Sequence, residues 1–87
     1  AASKSAIVTF ATCLAKEVGA SRVRINVVNA SLVSTPGQEG LASHYARHYP
    51  LGRFPTSNEA AETIAFLASD RAAMITGQSI SVNSGLL

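Results

Sequence analysis

Apolar residues recur at helical spacing from Ser3 to Val18, where Ile7, Phe10, Ala11, Leu14 and Val18 share a face and neither glycine nor proline intervenes. The spacing predicts a helix that stops at Gly19, because glycine takes the left-handed conformation that ends helices without Cβ strain. The pattern then changes. Val23-Arg24-Ile25-Asn26-Val27-Val28-Asn29 is rich in β-branched residues and suits a largely buried strand, reached through Gly19 to Arg22 alone. Residues 30–55 carry Pro36, Gly37, Gly40, Pro50, Gly52 and Pro55 around a short helix-compatible piece from Leu41 to Tyr49. A connection of that length in a small unit is usually functional or mobile. Thr56-Ser57-Asn58-Glu59 is a capping-box pattern, in which a hydroxyl and a carboxylate satisfy orphan backbone donors at a helix start. Ala60, Ile64, Leu67 and Ala68 mark the buried side of that second helix, which is expected to end near Ser69-Asp70. After a turn around Thr76-Gly77, Ser79-Ile80-Ser81-Val82 alternates as a short strand.

The order is helix, strand, long loop, helix, strand. Two strands joined through a helix are expected to be parallel, so the chain reads as the tail of an α/β layered domain. Two parallel strands are not independently stable, and parallel sheets need both faces covered, which places further strands before Ala1. The chain opens on Ala rather than Met and runs directly into helical pattern, and Ala1 is not expected to be the natural start.

Composition narrows the class. With 87 residues, 47% hydrophobic and 14% charged, the chain falls in the range of one small globular unit or part of one. Such a core is marginal alone, since burial at roughly 25 cal/mol/Å² is nearly cancelled by ordering costs of about 1.5 kcal/mol per residue. The formal charge of +2 comes from scattered Lys and Arg with no run of three, which argues against nucleic-acid binding. No apolar stretch approaches the roughly 18 residues that span a bilayer, so no membrane partner is expected. Cys13 is the lone cysteine, which excludes an internal disulfide framework and agrees with a cytoplasmic location.

Lys4 is the first candidate for chemistry. On a wheel at about 100° per residue it lies beside Ala11 and Ala15, at the border of the apolar face, and in the first turn, where the helix dipole disfavours a cation. From the residues alone two readings stay open: a stem that snorkels over small alanines, or a placed functional ammonium.

Ala1-Ala2-Ser3-Lys4-Ser5-Ala6 resembles the stretch that follows the tyrosine in the Tyr-x-x-x-Lys motif of short-chain dehydrogenases/reductases, and the tyrosine would then stand immediately before Ala1. The similarity continues through Leu14-Ala15-Lys16-Glu17, Val23-Arg24-Ile25-Asn26-Val27-Val28, Pro50-Leu51-Gly52-Arg53-Phe54, Phe66-Leu67-Ala68-Ser69-Asp70 and Ile75-Thr76-Gly77-Gln78, in the family's order and spacing. Each block alone is weak, while the ordered set is specific and covers nearly the whole chain. The resemblance implies the C-terminal part of a Rossmann-like doubly wound parallel sheet. Residues 1–87 would form one segment of a single domain, with residues 1–18 a helix carrying Lys4, residues 30–55 a cofactor and substrate lid, and residues 56–87 the final helix and strand.

The same resemblance implies an NAD- or NADP-dependent oxidoreductase that interconverts a hydroxyl and a carbonyl. Lys4 would be the catalytic residue present, hydrogen-bonding the nicotinamide ribose and lowering the pKa of the tyrosine one turn away. Elementary physics agrees, since residues four apart on a helix face each other and a cation favours a nearby phenolate. Val33 and Thr35 align with the family's nicotinamide contacts. Ala30-Ser31 stands where the family usually has Pro-Gly, which puts the path of that loop in doubt, and Asn83-Ser84-Gly85 stands where it commonly shows Asp-Gly-Gly. The implied partners are a small-molecule alcohol or carbonyl substrate, the N-terminal remainder of the same domain, and further copies in a homotetramer.

Leu41, Tyr45 and Tyr49 are candidates to line a substrate pocket, or equally to pack the lid down. His44 and His48 can share one helix face as metal-binding histidines do, but no Cys, Asp or Glu lies in the same piece, so no metal is expected. Cys13 reads as a small packing residue and Arg53 as a local pairing group. The isolated 87 residues are expected to be inactive and poorly folded. The competing function is a non-enzymatic oligomerisation or interaction module that keeps the helices without the chemistry. The substrate, and the choice between NAD and NADP, are not legible in these residues.

Overall fold

The computed structural model describes residues 2–30 and 47–85. In chain order these hold helix α1 (Ala2–Val18), strand β1 (Val27–Ala30), helix α2 (Ser57–Ala68) and strand β2 (Ser79–Val82), with single turns of 3-10 helix at Gly19–Ser21 and Asp70–Ala72. β1 and β2 are hydrogen-bonded neighbours. Gly77 N–H donates to Ile25 O at 2.7 Å and Val27 N–H donates to Gln78 O at 2.8 Å, so both chains advance in the same direction, the parallel arrangement of an α/β fold. No helix among the described residues is long and apolar enough to cross a membrane.

The chain divides into two compact units, Ala1–Val27 with Phe66–Ile80, and Val28–Ala65 with Ser81–Leu87. In the first, the buried residues are Ala15, Leu67 and Ala72. Gly77 fits closely beneath α1, where a Cβ on it would stand 3.6 Å from Ala15 Cβ. Small residues on both sides bring helix and turn together, and this decides which face of α1 is covered. Val8, Ala11, Thr12, Leu14 and Val18 are half-buried around Ala15, whereas Ile7 and Phe10 are 60% and 68% exposed. Of the five apolar residues expected to share a face, Ala11, Leu14 and Val18 are therefore partly covered and Ile7 and Phe10 are not. Close approach at alanine and glycine outweighs the larger side chains, which face outward. Cys13 is also exposed rather than packed.

α1 ends at Val18 as expected, but the left-handed residue that closes it is Arg22 (φ 62), one 3-10 turn beyond Gly19. The predicted strand at residues 23–29 shortens to Val27–Ala30. Its first part is held by side chains instead of a ladder. Asn26 Nδ2 donates to Ile75 O at 2.9 Å while its Oδ1 accepts from Gln78 N–H at 3.0 Å, and Ile25 N–H donates to Thr76 Oγ1 at 3.1 Å. Arg24 lies across the end of α2: Nη1 donates to Leu67 O at 2.7 Å and Ile75 O at 3.3 Å, and Nη2 donates to Ser69 O at 3.1 Å. A guanidinium there satisfies carbonyls that a helix leaves free at its C-terminus and complements the negative end of its dipole.

The second unit buries Tyr49, Phe54 and Pro55, with the rings of Tyr49 and Phe54 tilted at 47° and 4.8 Å between centroids. α2 begins with the reciprocal cap its sequence predicts: Glu59 N–H donates to Thr56 Oγ1 at 3.1 Å and Thr56 N–H to Glu59 Oε1 at 2.9 Å. Of its expected buried residues only Leu67 is covered, Ala60 is half-buried, and Ile64 and Ala68 are exposed.

Candidate active site

Lys4 stands in the first turn of α1. Eleven residues separate it from Ala15, which at about 100° per residue places the two within about 20° of each other around the helix. Ala15 is 3% exposed, and Lys4 lies on its line of the helix three turns earlier. Yet it is exposed, and among the described residues its ammonium has neither hydrogen bond nor ion pair. An exposed ammonium at a helix end keeps three N–H donors for water or a ligand, so both readings of Lys4 stay open.

Val33, Thr35, Leu41, His44 and Tyr45 lie outside the described residues, as does Ser31. Ala30 ends β1, so the loop expected to contact a nicotinamide leaves from the carboxyl end of a parallel strand, the position where open α/β sheets bind ligands. Tyr49 is buried at 5% exposure against Phe54. His48 is exposed, its Nε2 accepting from Arg47 Nε at 3.4 Å. Among the described residues no three of His, Cys, Asp or Glu stand together as metal ligands would.

Arg53 pairs locally and in two-pronged fashion with Glu59, Nη1 to Oε1 at 2.7 Å and Nη2 to Oε2 at 2.6 Å. The guanidinium, followed by the Thr56 backbone N–H, holds the Glu59 carboxyl down at about 2, and the carboxylate in turn raises the Arg53 pKa. The turn Asn83-Ser84-Gly85 carries positive φ at both Ser84 (56°) and Gly85 (87°). Consecutive left-handed residues are what a Gly-Gly pair would adopt freely, and here Ser84 adopts that conformation with a Cβ. Sequence reasoning missed Arg24 and Asn26. Their partners lie more than 40 residues away, and nothing in the local pattern announces them.

A family model described as Enoyl-(Acyl carrier protein) reductase matches residues 1–87. The chain is 37% identical over 90 residues to the 3-oxoacyl-(acyl-carrier-protein) reductase FabG of Chlamydia muridarum (strain MoPn / Nigg), covering 99% of this chain and 36% of that protein. It is 38% identical over 90 residues to L-xylulose reductase of Bos taurus, covering 97% and 37%. The crystal structure of an oxidoreductase of the short chain dehydrogenase/reductase family from Burkholderia thailandensis superposes with a TM-score of 0.86 at 38% identity, over 99% of this chain and 36% of that one. The chain thus spans little more than a third of the length of the curated relatives it matches. Its parallel strand pair and helices are the corresponding part of a Rossmann-like α/β fold. The match over all 87 residues, with the identity and structural likeness to these reductases, makes the chain a member of the short-chain dehydrogenase/reductase family.

Proposed function

We propose that the complete protein is a nicotinamide-dependent oxidoreductase interconverting a hydroxyl and a carbonyl, and that this chain supplies Lys4 and one wall of its site. The observation that carries the reading is Lys4, an exposed ammonium in the first turn of α1 with no partner among the described residues, within a chain similar to reductases of a 3-oxoacyl group and of L-xylulose. NAD or NADP, when bound, would donate or accept the hydride. Lys4 would hold the ribose hydroxyls through its N–H donors. Its charge would also favour the phenolate of a tyrosine one turn earlier on α1, in the position before Ala1, easing proton exchange with the substrate oxygen. Val33 and Thr35 are proposed as carboxamide contacts, and Leu41 and Tyr45 as pocket residues of the loop at residues 30–55. Residues 1–87 act on this reading as one segment of a single domain.

Self-association, to a homotetramer, belongs to the same proposal. The outward face of α1 supports it, since Ile7 and Phe10 are large and mostly exposed. A cytoplasmic location is likewise proposed, supported by a single cysteine that is free. The reading is tested by supplying the complete protein with NADH or NADPH and a panel of ketones and 3-oxoacyl thioesters while following nucleotide absorbance. Carbonyl-dependent loss of reduced nucleotide is the expected result. Nucleotide binding without turnover of any carbonyl, in a folded protein, would favour the interaction module instead.

A further inference from the structure

An asparagine side chain reacts with its own main chain when the next amide nitrogen reaches the side-chain carbonyl carbon, and the four asparagines of this sequence differ in how far they allow it. Asn26 is fully engaged. Its Nδ2 donates to Ile75 O, its Oδ1 accepts from Gln78 N–H, and the N–H of the following Val27 donates to Gln78 O at 2.8 Å. Val27 is also β-branched, which crowds the nitrogen. Asn58 stands in the first turn of α2, and the N–H that follows it, from Glu59, donates to Thr56 Oγ1 at 3.1 Å. Asn29 lies inside β1, where side chains stand off the sheet face and the backbone amides lie in its plane.

Asn83 differs from all three. It follows β2 in the turn Asn83-Ser84-Gly85, half-buried beside an exposed Gly85, so water reaches the turn. Its Oδ1 accepts from Gly85 N–H at 3.0 Å, which folds the side chain back over the Ser84 amide between them. Ser84 is small, and among the described residues neither its N–H nor Asn83 Nδ2 donates a hydrogen bond. These contacts assemble the parts of an acyl transfer. The Ser84 nitrogen is the nucleophile and Asn83 Cγ the electrophile, while Gly85 N–H polarises the side-chain carbonyl and holds the oxygen on which negative charge gathers.

We propose that Asn83 is a self-modification site, at which the side-chain amide is exchanged for an acid with water as the only co-reactant. The bond from Ser84 N to Asn83 Cγ forms and the Cγ–Nδ2 bond breaks. Nδ2 departs as ammonia, carrying off the proton of Ser84 N–H and leaving a cyclic imide. Water then adds to either imide carbonyl. Addition at Cγ restores the main chain with an aspartate, and addition at the main-chain carbonyl leaves the chain running through the side chain as an isoaspartyl link. Nothing is oxidised or reduced, and the turn gains one negative charge. The aspartate form keeps the turn, since a carboxylate accepts Gly85 N–H more strongly than an amide oxygen does. None of these steps depends on the oxidoreductase reading.

The test uses the complete, unaltered protein, incubated and then digested, with the peptide around each asparagine followed by mass for the exchange of amide for acid. The Asn83 peptide should convert first and split into aspartyl and isoaspartyl forms. Its rate should rise about tenfold from about pH 7 to about pH 8, because the nitrogen attacks in a deprotonated form far below its own pKa. In urea the Gly85–Asn83 hydrogen bond is lost, and conversion at Asn83 should slow or stay level, while Asn26 and Asn58 should speed up as the amides that follow them are freed. Ser84→Gly takes the last side chain away from the nucleophile and adopts φ 56 freely, so it should convert faster in the folded protein. An Asn83 peptide that stays unchanged, or conversion of Asn26 or Asn58 ahead of it, would overturn the proposal. Acceleration of Asn83 in urea would do the same, since the turn would then protect the side chain, and slower conversion in Ser84→Gly would overturn the role given to the Ser84 nitrogen.

Discussion

Arg24→Met removes one guanidinium and with it three contacts that tie the segment before β1 to the end of α2. Two of these are short, 2.7 Å to Leu67 O and 3.1 Å to Ser69 O, and the third, 3.3 Å to Ile75 O, is weak. All are partly buried, so water replaces them incompletely. Taking about 1 kcal/mol for each short bond, the ordinary value because these sites are only partly buried, and about 0.5 kcal/mol for a cation at a helix C-terminus, the expected loss is about 2–3 kcal/mol. The methionine stem retains most of the aliphatic packing, which confines the change to the polar contacts. Urea unfolding of the complete protein, comparing midpoints at unchanged slope, reads this loss directly. Arg24→Lys keeps the charge but not the forked donors and should fall between the two. Lys16→Met, at an exposed position on α1, serves as control and should stay within about 0.5 kcal/mol of the parent. A loss below about 0.5 kcal/mol for Arg24→Met would refute the idea that this guanidinium fastens α2 to the strand.

The Arg53–Glu59 pair predicts an acid limb in stability. With the Glu59 carboxyl held at about 2 against an ordinary 4.5, its contribution is complete above 4.5 and is lost as pH falls toward 2. Tm measured between pH 6 and 2 should show a limb that Glu59→Gln flattens, and identical slopes in the two proteins would contradict the assignment. If the proposed self-association runs through α1, replacing Ile7 and Phe10 together by Glu should lower the sedimentation coefficient of the complete protein while leaving its helical circular dichroism intact, because both side chains are exposed in this segment. An unaltered sedimentation coefficient would remove α1 from the interface.

Local signals in the sequence were legible and distant ones were not. The cap of α2 was readable because Thr56 and Glu59 exchange hydrogen bonds three residues apart. β2 was readable from the alternation of residues 79–82, and its exposure alternates in the same way. Periodicity located the apolar arc of α1 but not which part of it is most covered, since that depends on Ala15 meeting Gly77 from 62 positions away. The early part of the expected strand failed for a related reason. Val23-Arg24-Ile25-Asn26 has strand composition, but Arg24 and Asn26 spend their side chains on carbonyls and an amide from residues 67–78. Lys4 was singled out by motif spacing, and it stands exposed in the first turn of α1.

Lys4→Met in the complete protein removes the ammonium while keeping much of the apolar stem. If the ammonium holds the ribose and favours phenolate, nicotinamide nucleotide binds more weakly and the proton-transfer pKa in the pH profile of kcat/KM moves upward. Each unit of lost pKa depression corresponds to about 1.4 kcal/mol, and lost orientation of the cofactor adds to it, so kcat/KM should drop about a hundredfold or more. Near-normal turnover with an unmoved pH profile, in a Lys4→Met protein that is folded, would contradict the account and leave Lys4 as a solvated surface lysine.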